Sequence, residues 1–123
     1  MDKETFHRTW ARNLRRLATA LGLVKGQFTV RSNKGGDGVL GEVTLHSDTL
    51  YLQVGGSCCG PDKPDVMYRS CEGQKDYTGG CNRRTTPEAL LAPGGLSLLR
   101  AAMAASGKEP RYGGYHSELR PRR

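Results

Sequence analysis

Residues 27–54, QFTVRSNKGGDGVLGEVTLHSDTLYLQV, are the stretch on which the fold turns. Three pieces of it, residues 27–31, 39–46 and 49–54, alternate apolar and polar side chains with the period of a half-buried strand. That alternation puts Phe28 and Val30 on one side of the first piece, and turns Val43, Leu45, Leu50, Leu52 and Val54 towards a core. Between the first two pieces, residues 33–38 (NKGGDG) form a turn cluster whose glycines can supply positive φ. Ser47-Asp48 is the tight connection between the second and third. Asn33-Lys34-Gly35-Gly36 lacks the Gly-Lys-Ser/Thr that opens a helix in a phosphate loop, so it reads as a turn. An antiparallel meander follows, and it needs a cover for its apolar face.

Upstream lies that cover. Phe6, Trp10, Leu14, Leu17 and Leu21 recur at helical spacing within residues 4–21 and share one stripe. Arg8, Arg12, Arg15 and Arg16 fall on the opposite side, within about 100° of one another at 3.6 residues per turn. Gly22 is placed to end the helix in a left-handed turn. The four arginines have no acid at i±4 within the cluster and repel one another, so this face is the first candidate contact surface.

Downstream, residues 55–84 hold all four cysteines and are rich in Gly, Pro and charge, the composition of a long functional loop region. Within it, residues 66–71 (VMYRSC) return as a fourth strand after a turn at residues 61–64. Thr86 and Pro87 are N-cap and first position of a helix start that Pro93-Gly94-Gly95 interrupts. A C-terminal helix over residues 96–106 packs Leu96, Leu99 and Met103 and stops at Gly107. The fold class is α+β: an N-terminal amphipathic helix, an antiparallel sheet of three to four strands, the Cys/Gly-rich loop region and a C-terminal helix. Residues 1–107 form a single domain, and residues 108–123, with Tyr112 and Tyr115, form a basic tail.

Net charge is +7, and its distribution is uneven. Residues 1–34 carry eight Lys/Arg against two acids, residues 35–106 six against eight, and residues 107–123 five against two. Basic charge concentrated at both ends points to an acidic partner: a protein face, a nucleoprotein complex, or nucleic acid itself. No run of apolar residues reaches membrane-spanning length, and the start, MDKETFHRTW, lacks the apolar core of a signal peptide. A cytoplasmic protein with no membrane partner is expected, its cysteines reduced or metal-bound.

Structural zinc takes four soft ligands, usually as paired C-x₂₋₄-C knuckles. Here Cys58 and Cys59 are adjacent, eleven residues separate Cys59 from Cys71, and nine separate Cys71 from Cys81. Three cysteines with His46 or His116 are the zinc-stabilised alternative, whereas buried thiols are the ordinary outcome of such spacing. No metal or cofactor is therefore expected. The histidines, His7, His46 and His116, sit in no local signature of thiol catalysis, and no paired carboxylates, metal motif or nucleophile elbow occurs, so no catalytic residue is assigned. In residues 75–84 (KDYTGGCNRR), Asp76 can accept backbone N–H bonds and Gly79-Gly80 can take conformations closed to other residues. Tyr77 offers a stacking face, and Arg69, Lys75, Arg83 and Arg84 offer charge. With Arg8, Arg12, Arg15 and Arg16 they make up the candidate binding surface.

The run YRSCEGQKDYTGGCNRR, residues 68–84, resembles a segment of small accessory proteins of plasmids and phages. In general character the short chain is also similar to the anti-defence proteins of mobile elements, the anti-CRISPR inhibitors among them. The resemblance implies a non-catalytic protein that acts in the host cell on a nucleoprotein defence complex. Many such inhibitors are acidic mimics of nucleic acid; a chain at +7 departs from that pattern and implies a basic docking surface instead. Direct nucleic-acid binding through the same residues is the alternative.

Overall fold

The computed structural model describes residues 2–35, 40–55, 64–76 and 79–108. Helix α1 (Lys3–Ala20) begins where Asp2, in extended backbone, accepts the Thr5 N–H on its carboxylate at 2.7 Å. That bond satisfies one of the N–H groups a helix start leaves orphaned, and it holds the Asp2 carboxyl below the usual range. At the other end Gly22 takes φ +85°, and the Leu23 N–H donates to the Ala18 carbonyl at 2.9 Å. The helix therefore stops at the glycine that the sequence offered for it.

Five strands follow among the described residues: β1 (Phe28–Asn33), β2 (Glu42–Ser47), β3 (Leu50–Gly55), β4 (Asp65–Ser70) and β5 (Arg83–Thr85). They form one antiparallel sheet in chain order. The sheet is larger than the three to four strands expected. The addition, β5, is three residues long and pairs Thr85 with Val66 and Arg83 with Tyr68. So short a strand, with two arginines and no alternation to read, owes its conformation to the open edge of β4. The β2–β3 connection also falls one residue later than expected, at Asp48-Thr49. The Ser47 hydroxyl accepts from Thr49 N and Leu50 N at 3.3 and 3.1 Å, so Ser47 closes β2 instead of leaving it.

After β5, the Thr86 hydroxyl accepts from Ala89 N at 3.0 Å and starts α2 (Pro87–Leu91). The interruption at residues 92–94 then leads into α3 (Gly95–Ala104).

Strand register sorts the side chains. Val43 lies opposite Val54, Leu45 opposite Leu52, Leu52 opposite Tyr68 and Val54 opposite Val66, so all share one face. Both long helices cover that face, α1 over β1 and β2, α3 over β4 and β3. Phe6, Trp10, Leu14 and Leu17 from α1 and Leu99 and Ala102 from α3 close one core with the strand residues. Leu14, Val43, Leu45, Leu50, Leu52, Val54, Val66 and Leu99 are fully buried. Each such side chain contributes roughly 1.5–3 kcal/mol, which is why this face and not the other carries the helices. Two polar ties fix the helices in place. His7, itself buried, donates its Nε2 hydrogen to the Leu40 carbonyl at 2.7 Å. Arg100 of α3 donates to the Ala20 carbonyl at the end of α1 at 2.9 Å.

The second face of the sheet carries no helix among the described residues. By register it holds Arg31, Thr44, His46, Tyr51, Gln53, Met67, Arg69 and Arg84. No described helix is long and apolar enough to cross a membrane.

Candidate functional site

Because α1 buries its apolar stripe on the sheet, Arg8, Arg12, Arg15 and Arg16 are carried outward, and all four are exposed. Arg8 leans back on Thr5, its guanidinium 3.5 Å from the hydroxyl. The side chains of Arg12, Arg15 and Arg16 make no hydrogen bond or ion pair among the described residues; with Thr19 they line a shallow concavity of about 380 Å³. Arg8–Arg12 and Arg12–Arg16 are like-charge pairs at i,i+4, each costing a few tenths of a kcal/mol in an isolated helix.

The α3 side extends this surface. Arg100 reaches the end of α1, which brings its guanidinium into the same layer. From Thr5 to the end of α1, and throughout α3 and its C-terminal turn, there is no Asp or Glu; the acid in the first turn of α1, Glu4, is paired with Lys34 at 2.7 Å. Leu91 on α2 and Leu98 on α3 also stand exposed, at 50% and 38%, Leu98 in a recess with Tyr68 and Arg83. Arg100, Leu91 and Leu98 were not singled out from sequence. The signal for Arg100 was available, since the C-terminal helix contains no acid at all.

The basic residues of the Cys/Gly-rich region do not join this layer as one surface. Arg69 was expected to offer charge to a partner, but it is only 4% exposed, and its guanidinium lies over the Tyr51 ring at 5.6 Å from the centroid. The register that sets Arg69 opposite Tyr51 turns it into a packing residue of the second sheet face. Arg83 and Arg84 diverge, as neighbours in a strand must. Arg83 is half-buried on the helix side against Tyr68, Leu98 and Ala102, with Nη1 donating to the Cys81 carbonyl at 3.4 Å. Arg84 is exposed on the opposite face, beyond Met67. Lys75 also lies on that side, beside Thr44 and His46. The expected surface therefore splits across the two sides of the sheet. Tyr77, Cys58, Cys59, His116 and the tail from residue 109 lie outside the described residues.

Residues 72–76 form a tight loop pinned to the sheet. Asp76 N donates to the Gly73 carbonyl at 3.1 Å, and His46 Nε2 donates to the same carbonyl at 2.7 Å. Gln74 ties the loop to the Gly26 carbonyl at 3.1 Å. Burial lowers the His46 pKa from its ordinary value, against the pull of the Gly73 and Asp76 backbone, so the ring is neutral at physiological pH. A lowered folded pKa means that the unfolded chain takes up the proton first as pH falls. Stability is then lost below the ordinary histidine value of 6.5 and restored as pH rises above it. Urea unfolding at neutral and mildly acidic pH should show a smaller acid-induced drop in midpoint for His46→Gln, which cannot titrate, than for the wild type. Equal drops would place the pH dependence elsewhere.

Cys71 is fully buried, donates its S–H to the Ser47 carbonyl at 3.2 Å, and has its pKa pushed up by burial to about 11. A thiol so held is protonated and a poor nucleophile at neutral pH. Cys81 is half-buried. Among the described residues no group of three or more His, Cys, Asp or Glu is placed to hold a metal ion. No protein family, curated protein or solved structure matches the chain.

Proposed function

We propose that the chain is a non-catalytic binding protein that lays its helix layer on the acidic face of a protein or nucleoprotein partner and blocks that face by occupying it. The observation that carries this reading is the layer's charge: exposed arginines on α1, Arg100 on α3, and no acid in either helix span beyond the first turn of α1. Uncompensated like charge costs the free protein stability and gains its return only against negative charge. Arginine forks match carboxylates in pairs of hydrogen bonds. The exposed Leu91 on α2 and Leu98 on α3 add apolar contact area of the kind a protein face, and not a phosphate backbone, takes up. The non-catalytic part is supported by the engagement of the chemically capable groups: His7, His46 and Cys71 each donate a hydrogen to a backbone carbonyl. The likeness of residues 68–84 to mobile-element accessory proteins makes a nucleoprotein defence complex in the host cytoplasm the partner we propose.

Capture from host lysate by the tagged full chain, with and without nuclease, tests this. A defined protein complex retained after nuclease is the expected result. Recovery of nucleic acid alone, lost on nuclease treatment, would replace the proposal with direct nucleic-acid binding. Affinity would then fall linearly with the logarithm of salt, by about one counterion per phosphate contact.

A further inference from the structure

The sheet face turned away from the helices holds a cavity of about 620 Å³ in which the helix layer has no part. Its floor is the β2 row Glu42, Thr44 and His46. Arg31 of β1 flanks it on one side, Tyr51 of β3 on the other, and Lys75 of the pinned loop closes the His46 end. From Glu42 to His46 the floor runs about 13 Å, four residues at strand rise.

The walls are fixed and the contact groups are not. The His46 and Tyr51 rings meet edge to face, with centroids 5.3 Å apart and planes at 87°. His46 is tethered to Gly73, and the Tyr51 hydroxyl donates to Gln53 Oε1 at 3.2 Å. By contrast, the side chains of Arg31, Glu42, Thr44 and Lys75 make no hydrogen bond or ion pair among the described residues. Arg31 and Glu42 are of opposite charge, sit on neighbouring strands and share one cavity, yet they do not pair. A face that served only stability would spend such charges on each other. A polar cavity with rigid aromatic walls and uncommitted charges of both signs is built as ligand sites are, and its volume lies in the range such sites have.

We propose that this cavity binds a nucleoside phosphate. The phosphate is held by Arg31 and Lys75, the base lies along the wall that His46 and Tyr51 form, and Glu42 accepts hydrogens from a sugar hydroxyl or an exocyclic amine. Inorganic phosphate would use only the cations. The ring wall and the carboxylate at the far end call for a ligand that carries an aromatic ring and donors as well. The same unit can arrive as a free nucleotide or as the end of a single strand. This inference is independent of the helix-layer reading, whose arginines lie on the other side of the sheet.

Backbone amide spectra of the full chain, titrated with each of the four ribonucleoside monophosphates, with inorganic phosphate and with a 5′-phosphorylated trinucleotide, test it. Saturable shifts at Thr44, His46 and Gln74 are expected with at least one mononucleotide. Arg31→Glu should weaken that binding by about tenfold or more through loss of a charge-assisted contact. Glu42→Gln should weaken it less, and Arg12→Glu should leave it unchanged. Tighter trinucleotide binding at the same residues would assign a strand end as the natural source, and equal affinity a free nucleotide. The proposal is overturned by no saturable shift at millimolar nucleotide, by inorganic phosphate binding as tightly as the nucleotides, or by shifts confined to α1. The spectrum of each variant reports its folding directly, so loss of fold is not confused with loss of ligand.

Discussion

Reversing Arg12 and Arg15 together to glutamate is expected to abolish partner binding while leaving the protein folded. Both side chains are exposed and line the same shallow concavity. Arg12 also stands one turn from both Arg8 and Arg16, so its reversal turns two repulsive pairs into attractive ones. Against this, acids nearer the helix C-terminus are mildly unfavourable. The opposing terms are each a few tenths of a kcal/mol, so the melting temperature should move by no more than about 2–4 °C. Binding sees a different balance. Two arginines are lost and two negative charges are set against an acidic face, where like-charge juxtaposition costs several kcal/mol, or roughly a hundredfold or more in affinity. The measurement is titration calorimetry or biolayer interferometry against the captured partner, with thermal melts of the same samples. Undiminished affinity in the double variant would remove the helix layer as the working surface. A double variant that failed to melt cooperatively would instead show that α1 is less tolerant than its exposure indicates; Arg15→Gln, which removes charge without reversing it, then gives the smaller loss to compare.

Gly55→Ala is expected to be among the most damaging single-methyl additions the fold can receive. Gly55 ends β3 with φ +139°, a backbone conformation that side-chain-bearing residues rarely adopt. A Cβ there would run into the Gly41 carbonyl oxygen and sit 2.8 Å from the Glu42 Cα. Both obstacles are backbone, at the start of the neighbouring strand, so no rotamer change relieves them. Strained φ/ψ costs roughly 1–3 kcal/mol and overpacking a further 1–3 kcal/mol. Their sum, about 2–6 kcal/mol, is a large part of the 5–15 kcal/mol by which a domain of ordinary stability stays folded. Gly26→Ala separates the two costs, because Gly26 has φ +94° but nothing within 4 Å of an added Cβ. Urea unfolding followed by circular dichroism should show a clearly larger loss of midpoint for Gly55→Ala than for Gly26→Ala. Equal losses would mean that the β2–β3 backbone approach can relax and that strain alone sets the cost.

What could be read from sequence followed from periodicity and end signals, both local. The stripe Phe6–Trp10–Leu14–Leu17 and the alternation through Val43, Leu45, Leu52 and Val54 named core residues that are buried in the fold. Gly22, Thr86 and Pro87 marked helix boundaries that stand where those residues put them. The outward position of Arg8, Arg12, Arg15 and Arg16 followed from the same helical geometry. Residues whose role depends on a partner strand were another matter. Arg69 looked like surface charge until pairing set it against Tyr51, and the existence of β5 rested on an edge that only the assembled β4 provides. The cavity beside His46 was equally hidden, since its residues come from β1, β2, β3 and the 72–76 loop, and no short window contains them.

The sequence by itself determined the α+β class, the amphipathic first helix with its arginine face, and which side of each central strand is apolar. Those depend on side chains a few residues apart, whose relative directions the backbone geometry of helix and strand settles in advance. Only the tertiary structure decided that the helix layer gathers Arg100 with the α1 arginines, that Arg83 and Arg84 part to opposite faces, and that Arg31, Thr44, His46 and Tyr51 meet around one cavity. Register and packing are choices between segments far apart in the chain. They are settled by the burial of the whole apolar face at once, and no single segment carries that information.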